Sequence, residues 1–311
     1  DVRRLGNEIS LFWGLEAEVA LLYSKTNILQ VPYDLLKASS TPYLQTLRHA
    51  YNGARHLDTP ISFVSEGQLV AAKKSPKILV LPACRYLPEP VFAALDTYLQ
   101  QGGTLVLLPA GPQADEYARP QDYLGRWGLR IHATHLPSIE GRGPAEQGYD
   151  QSLAHKIHIG PGQQKTSTRT DPTFFPDPAS TQGLFEEVDA DGADILAATD
   201  EHSLLLHKPI GNGSLYYFCG TPTPGTYRQF MDALMDQSDI YRPLRLTAPD
   251  GSRPPGVEAR LVHTQYYDLV YVANETQRDI EFTLKTNRPQ QKTRELRSLS
   301  YWSTPTGTLP A

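Results

Sequence analysis

The chain has 311 residues, with 29 basic and 34 acidic side chains, 40% hydrophobic residues and only 2 Cys. Its length favours two domains, or one large domain with an appendage, and its hydrophobic content is sufficient for a folded core. The net charge of -5 argues against nucleic acid as the main partner, two distant cysteines argue against a disulfide framework, and no apolar stretch reaches the roughly 18 residues that cross a membrane.

Residues 19–23, 61–65, 77–82 and 104–109 are predicted to be strands. The unbroken apolar run 19–23, which ends at polar loop residues, is typical of a strand that is buried on both faces. Helical spacing predicts one helix over about 41–56 and a second one from Glu89 to the Gly102-Gly103 pair. The apolar positions of the second helix are Val91, Phe92, Leu95, Tyr98 and Leu99. This alternation predicts an α/β fold with a doubly wound, mostly parallel sheet.

The middle of the chain is less regular. Residues 137–183 are rich in Gly, Pro, Ser, Thr and Gln, and we expect them to form long surface loops. The regular elements predicted around them are a helix at 123–128, strands at 129–132 and 195–199, a hairpin of 203–207 and 214–218, and a helix over about 226–237.

The composition changes near Tyr241, where antiparallel strands are predicted from length, alternation and β-branched or aromatic content. They occupy residues 257–262, 268–274 and 279–284. We therefore expect an α/β domain over 17–245 and a small antiparallel β domain over 246–311. The β domain is short for a complete sandwich and the chain begins without Met, so we expect a piece of something larger.

Cys84 comes just after the third predicted strand, where doubly wound sheets place their active sites. A nucleophilic Cys is one interpretation, with Arg85 lowering its pKa. Glutamine amidotransferases carry their nucleophile in a Gly-x-Cys-x-Gly elbow one strand later, and the matching turn here, 108–112, has Ala110 at that place. A small, unreactive thiol is therefore the favoured interpretation.

The histidines are scattered. His132 and His135 are three apart in a predicted strand, which predicts that they lie on opposite faces. His155 and His158 are three apart in a predicted loop, but no third metal ligand has matching spacing. Solvated loop histidines are the favoured interpretation.

An acidic group surrounds Gly192, but it lacks the pattern of a calcium loop and is predicted to be a solvated turn. Its members are Glu186, Glu187, Asp189, Asp191 and Asp194. Gly102-Gly103 ends a helix and Gly211-Asn212-Gly213 forms a hairpin turn, so neither is a phosphate loop. We therefore predict no metal site and no cofactor, and no catalytic acid, base or nucleophile is visible.

Four segments, taken in order, resemble the middle domain of the family 42 glycoside hydrolases, which are β-galactosidases. The segments are residues 19–24, 60–66, 77–82 and 99–106. The resemblance implies a class I glutamine amidotransferase-like trimerisation domain followed by the small C-terminal β domain of that family. Residues 1–16 look like the linker helix by which the family's chain leaves its catalytic (β/α)8 barrel.

Since the barrel carries the family's two catalytic Glu residues, the resemblance transfers no catalytic residue to this sequence. It implies a non-catalytic structural part of a β-galactosidase-like enzyme, whose partners would be the barrel of the same parent chain and further copies in a homo-oligomer, by resemblance a trimer. The loops at the strand ends, around Ser24, Glu66, Cys84 and Arg85, are where a crevice or subunit contact is expected.

Two other functions remain open. The chain could be an amidotransferase-like hydrolase that uses Cys84, or a carbohydrate-binding module in which some of the 17 Tyr stack on sugars; ordinary packing is the favoured role of those tyrosines. The sequence favours neither a cytoplasmic nor a secreted location, and it gives no sugar specificity.

Overall fold

The computed structural model describes residues 3–30, 42–72, 75–137, 156–160, 164–288, 293–294, 301–302 and 306–309. The chain divides into two compact units. The large unit comprises residues 18–53 and 62–239, and the small unit comprises 1–17, 54–61 and 240–311. The domain boundaries expected from the sequence stay a prediction.

Within the described residues, the helices are short apart from three of 12 to 14 residues. They are α1 (Gly6–Leu11), α2 (Lys25–Leu29), α3 (Pro42–Arg55), α4 (Glu66–Val70), α5 (Glu89–Gln100), α6 (Tyr123–Arg126) and α7 (Pro224–Gln237). No helix in the described part of the chain is both long and apolar enough to cross a membrane.

The strands are numbered in chain order. In the large unit they are β1 (Val19–Tyr23), β2 (Ile61–Ser65), β3 (Ile78–Leu81), β4 (Thr104–Leu107), β5 (Leu129–Pro137), β6 (Lys156–Gly160), β7 (Lys165–Thr166), β8 (Arg169–Thr170), β9 (Ser180–Ala190), β10 (Asp194–Ala198), β11 (Ser203–Ile210), β12 (Gly213–Phe218) and β13 (Gly220–Pro222). In the small unit they are β14 (Leu244–Thr247), β15 (Val257–His263), β16 (Asp268–Asn274), β17 (Ile280–Thr286), β18 (Thr293–Arg294), β19 (Tyr301–Trp302) and β20 (Thr306–Leu309).

An eight-stranded sheet in the order β2-β1-β3-β4-β12-β11-β10-β8 forms the centre of the large unit. Strands β1, β3, β4 and β12 run parallel to one another, and β11, β10 and β8 add antiparallel pairs. β3 is buried along its whole length, and β1 at every residue but the last. The mixed α/β fold with a large, mostly parallel sheet is therefore confirmed.

Helix α5 follows the predicted pattern. Its buried residues are the five predicted apolar positions, Val91, Phe92, Leu95, Tyr98 and Leu99. Pro90 occupies the first helical turn, where its missing N–H costs nothing. The Tyr98 hydroxyl lies 2.8–3.0 Å from the carbonyl oxygens of Pro76 and Lys77, just before β3, and of Thr104, the first residue of β4. Burial raises the pKa of Tyr98.

A second sheet of the large unit corrects the prediction for residues 137–183. Its strands pair in the order β13-β9-β5-β6, with β7 also paired to β9. The segment predicted to be loops therefore contains β6, β7 and the start of β9 from this sheet, together with β8 of the eight-stranded sheet. Within that segment, 138–155 and 161–163 lie outside the described residues.

The small unit has the predicted antiparallel β structure. β14-β17-β20 form one sheet and β15-β16 another. Alternate side chains of these strands are buried together, as expected for strands with one apolar face. The core consists of Leu244, Leu246, Val257, Ala259, Leu261 and Phe282.

Candidate functional site at the strand ends of the large sheet

The carboxyl ends of parallel strands are where α/β proteins commonly bind ligands, and the four predicted site residues all lie there. Ser24 follows β1, Glu66 follows β2, and Cys84 and Arg85 follow β3. Ser24, Cys84 and Arg85 are buried, whereas Glu66 is half-buried. These side chains therefore belong to the interior of the sheet edge, and only Glu66 reaches solvent to any extent.

Ser24 and Glu66 contact each other directly. The Ser24 hydroxyl donates to Glu66 Oε1 over 2.5 Å and accepts from the backbone N–H and the side-chain Nδ2 of Asn27, at 3.1 and 2.7 Å. The Thr26 hydroxyl donates to the other carboxylate oxygen over 3.0 Å. Because the Ser24 hydroxyl already donates once and accepts twice, it is held as a helix cap and a link between strand ends.

Asn27 joins this pair to the loop after β3. Its Nδ2 donates to the Tyr86 carbonyl at 2.7 Å, and its Oδ1 accepts from the Tyr86 N–H at 3.0 Å. Behind it, the Tyr43 hydroxyl accepts from the Ser24 N–H at 2.6 Å and donates to the Leu22 carbonyl at 3.0 Å. Burial raises the pKa of Tyr43, so its hydroxyl stays protonated and can donate the hydrogen bond to the Leu22 carbonyl.

Cys84 lies at the base of the same loop. Its side chain is fully buried, and its Sγ lies 3.4 Å from the Pro82 carbonyl oxygen. Burial, with the negative charge of Glu66 as a second cause, raises the pKa of the Cys84 thiol well above its ordinary value. The expectation that Arg85 lowers this pKa is therefore wrong, because the loss of solvent dominates.

The turn after β4 is occupied by a carboxyl group from a distant strand. Ala110 has φ +66°, a left-handed conformation that is uncommon for a residue with a side chain. Its N–H donates to Glu186 Oε2 at 3.0 Å, the Tyr217 hydroxyl donates to the same oxygen at 2.6 Å, and Gln113 Nε2 lies 3.4 Å from Oε1. Glu186 lies within β9 and is buried, so its prediction as part of a solvated turn is wrong.

The electrostatics of this carboxyl group are those of a buried acid. Burial raises the pKa of Glu186, and the bonds from Tyr217 and Ala110 and the charge of Arg85 oppose that rise. The pKa of Tyr217 is also raised, by burial first and by the Glu186 charge second. The Glu186 carboxyl group therefore links β9, β12 and the turn after β4 through hydrogen bonds, and it has no contact with solvent.

The histidines of β5 correct another prediction. His132 Nε2 lies 2.6 Å from Asp189 Oδ2, and His135 Nε2 lies 2.7 Å from Glu187 Oε1. Asp189 and Glu187 are two apart on β9 and so face the same side. The β5–β9 register shifts between Ile131 and Ala133, and this bulge brings both histidines to one face instead of opposite faces.

His158 lies on β6, exposed, and its ring stacks on His135 with centroids 4.9 Å apart. The hydrogen bond from His135 lowers the pKa of Glu187, which keeps that carboxylate charged. His155 lies outside the described residues. Among the residues that the structure does describe, no three His, Cys, Asp or Glu side chains converge as metal ligands.

Several residues of these strand ends escaped the sequence analysis. Ser24 has a local signal as a helix cap, but the contacts of Asn27 with the backbone of the loop after β3 join segments 59 residues apart and have none. Glu186, Gln113 and Tyr217 have none, because their meeting depends on pairing between segments that are 73 and 31 residues apart. The polar side chains at these strand ends are hydrogen-bonded to one another. Among the described residues there, no base lies beside a nucleophile that is free to react.

Comparison with known proteins gives a match by structure alone. No family model and no curated protein matches the chain. A family 42 β-galactosidase from G. stearothermophilus superposes with a TM-score of 0.69 at 18% identity, and the match covers 99% of this chain and 42% of that one. The β-galactosidase from Bacillus circulans sp. alkalophilus gives 0.68 at 16% identity, covering 99% and 43%.

The chain shares its fold with family 42 β-galactosidases. A third such enzyme, from Rahnella sp. R3, superposes with a TM-score of 0.67 at 14% identity and covers 100% of this chain. The resemblance found in the sequence is therefore confirmed at the level of the fold. The chain spans about 42% of the length of the β-galactosidases it matches, and its described strands form open sheets and no (β/α)8 barrel.

Proposed function

We propose that this chain is the non-catalytic structural and assembly part of a β-galactosidase-like glycoside hydrolase that acts on β-linked galactosides. The observation that supports the proposal is that a buried carboxyl group already occupies the turn after β4. In the sequence, Ala110 stands where the elbow of an amidotransferase would have its nucleophile, and its N–H donates to the buried Glu186 carboxyl group. A backbone N–H that is already bonded in this way cannot serve as an oxyanion donor.

The competing enzymatic function would use Cys84, and thiol labelling separates the two. In a Cys219→Ser variant, Cys84 is the sole thiol, since the chain has 2 Cys. We expect iodoacetamide to label it at neutral pH at least about 100-fold more slowly in the folded protein than in urea, because the thiol is buried and its pKa is raised. Labelling of the folded protein faster than that of free cysteine would support the hydrolase instead.

The assembly role is supported by exposed apolar side chains at the same edge of the sheet. Leu29, on α2, is 80% exposed, and Tyr117, in the loop after β4, is 70% exposed. The two segments are joined by the side chain of Gln30, which donates to the Glu116 carbonyl. Exposed apolar groups of this size on neighbouring segments are typical of subunit contacts.

We expect the chain to sediment as a homo-oligomer, a trimer by its resemblance, and the double variant Leu29→Ser/Tyr117→Ser to sediment as a monomer at the same concentration. Sedimentation velocity measures this directly. The control is Ile195→Ser, which removes an exposed apolar side chain from β10, the strand next to the β8 end of the eight-stranded sheet. A wild-type monomer, or a double variant that assembles as the control does, would contradict this assembly surface.

A further inference from the structure

The large hydrophobic side chains that are most exposed in residues 240–288 of the small unit are all tyrosines. Large hydrophobic side chains that are exposed there are Tyr241, Tyr266, Tyr267 and Tyr271, and no aliphatic side chain is among them. Tyrosine is common at binding surfaces because its ring is apolar and its hydroxyl is polar. These tyrosines therefore suit a ligand that presents apolar faces and polar groups together.

Tyr241 is held in place by polar side chains. Its hydroxyl lies 3.1 Å from His263 Nε2 and 3.2 Å from Asn287 Nδ2. The other ring nitrogen of His263 lies 2.8 Å from Asp268 Oδ1, and Arg288 Nη1 donates to the same oxygen over 3.3 Å. The ring is 57% exposed, so its position is fixed while its surface stays open to solvent.

Tyr266 and Tyr267 extend this surface on the turn between β15 and β16. The Thr264 hydroxyl accepts from the N–H groups of Tyr266 and Tyr267, at 3.3 and 2.9 Å, and donates to the Tyr267 carbonyl at 2.5 Å. The turn joins His263 directly to Asp268, which are paired across the two strands. The two rings, 85% and 51% exposed, are thus attached to a tight turn next to the polar groups around Tyr241.

We infer that this surface, here called the tyrosine cluster, binds a neutral oligosaccharide. The cluster consists of Tyr241, Tyr266 and Tyr267 with His263, Asp268, Asn287 and Arg288. Pyranose rings present apolar C–H faces that stack on aromatic rings, and their hydroxyls bond to carboxylate, amide and guanidinium groups. The Asp268 and Arg288 charges cancel at contact distance, which suits an uncharged ligand, and the fixed turn reduces the entropy lost on binding.

The sugar class follows from the parent enzyme. A β-linked galactan is the ligand expected, and this choice rests on the proposed function, whereas the binding of a neutral sugar by the tyrosine cluster does not. A binding surface of this kind would hold a polymeric substrate near a catalytic centre without taking part in the chemistry.

The test is isothermal titration calorimetry of the full chain with soluble β-galactan, mannan, mixed-linkage β-glucan and an anionic galactan. We expect saturable binding of the neutral galactan, weakened about tenfold by Tyr266→Ala and by Tyr241→Ala, as the loss of one aromatic contact commonly costs. The control is Trp13→Ala, which removes another exposed ring of the small unit and is expected to leave binding unchanged. Circular dichroism of each variant checks that it is folded.

Different outcomes would contradict the sugar-binding inference and the proposed function. Binding of mannan or β-glucan but not galactan, with the same loss in the tyrosine variants, would keep the tyrosine cluster as a sugar site and contradict the galactoside-acting parent. No heat with any neutral polysaccharide, or binding that the tyrosine variants retain, would overturn the inference. A lower sedimentation coefficient of Tyr266→Ala would also overturn it, by assigning the surface to contact between copies.

Discussion

Replacing Glu186 with Ala is expected to lower the free energy of unfolding of the large unit by about 3–5 kcal/mol. The substitution removes a buried carboxyl group that bonds the Ala110 N–H and the Tyr217 hydroxyl. It leaves both donors buried without that acceptor, takes a compensating charge from beside Arg85 and opens a cavity. Urea unfolding followed by the fluorescence of Trp127, which is buried in this unit, measures the loss.

Two variants control this experiment. Glu187→Ala changes the next residue of β9, whose half-exposed carboxylate pairs with His135, and is expected to cost less than about 1 kcal/mol. Glu186→Gln keeps the shape and one acceptor oxygen, so it should cost about 1–2 kcal/mol. Equal losses for Glu186→Ala and Glu187→Ala would show that the buried bonds do not hold the turn after β4.

The contribution of Glu186 to the free energy of unfolding should change with pH. Because burial raises the pKa of Glu186 in the folded state above its ordinary value of 4.5, the folded chain binds more protons than the unfolded chain across that interval. The contribution of Glu186 to stability is thus complete below about 4.5 and declines as pH rises through the folded pKa. The stability of wild type minus that of Glu186→Gln should fall with rising pH.

The sequence was informative where structure depends on near neighbours. The five buried positions of α5 follow from helical spacing between a Pro in the first turn and Gly102 after the last. The apolar runs of β1 and β3 predict full burial without reference to any partner. The match of four segments to a known family gave the fold, although at 18% identity or less no family model detects it.

The site depended on contacts that have no local signature. Glu186 and Glu187 are adjacent and identical in type, yet one is buried against Tyr217 and the other pairs with a histidine on the opposite face. Which one is buried depends on the register of β9, and that register is set by strands far away in the chain. His132 shows the same limit, since a single bulge in β5 reverses the face predicted by alternation.

Replacing Asp58 with Ala should destabilise the small unit by about 3–5 kcal/mol, because the substitution removes the carboxylate of a buried ion cluster. Arg253 Nη1 lies 2.6 Å from Asp58 Oδ1 and Arg242 Nη2 lies 3.8 Å from Oδ2. The Asp58 and Arg242 side chains are each 2% exposed. Two guanidinium charges would lose this carboxylate in an environment where water cannot replace it.

Hydrogen exchange of the β15 and β16 amides, detected by mass spectrometry, reports this loss as reduced protection. The matched control is Glu275→Ala, which removes a part-exposed carboxylate that pairs with Arg55 and His56 in the same unit and should cost less than about 1 kcal/mol. Adding Arg253→Met to Asp58→Ala should restore part of the protection, because it removes one of the positive charges that the Asp58 carboxylate offsets. If the double variant is less protected than Asp58→Ala alone, Arg253 contributes through packing and its other contacts, and the ion cluster is not the source of the stability.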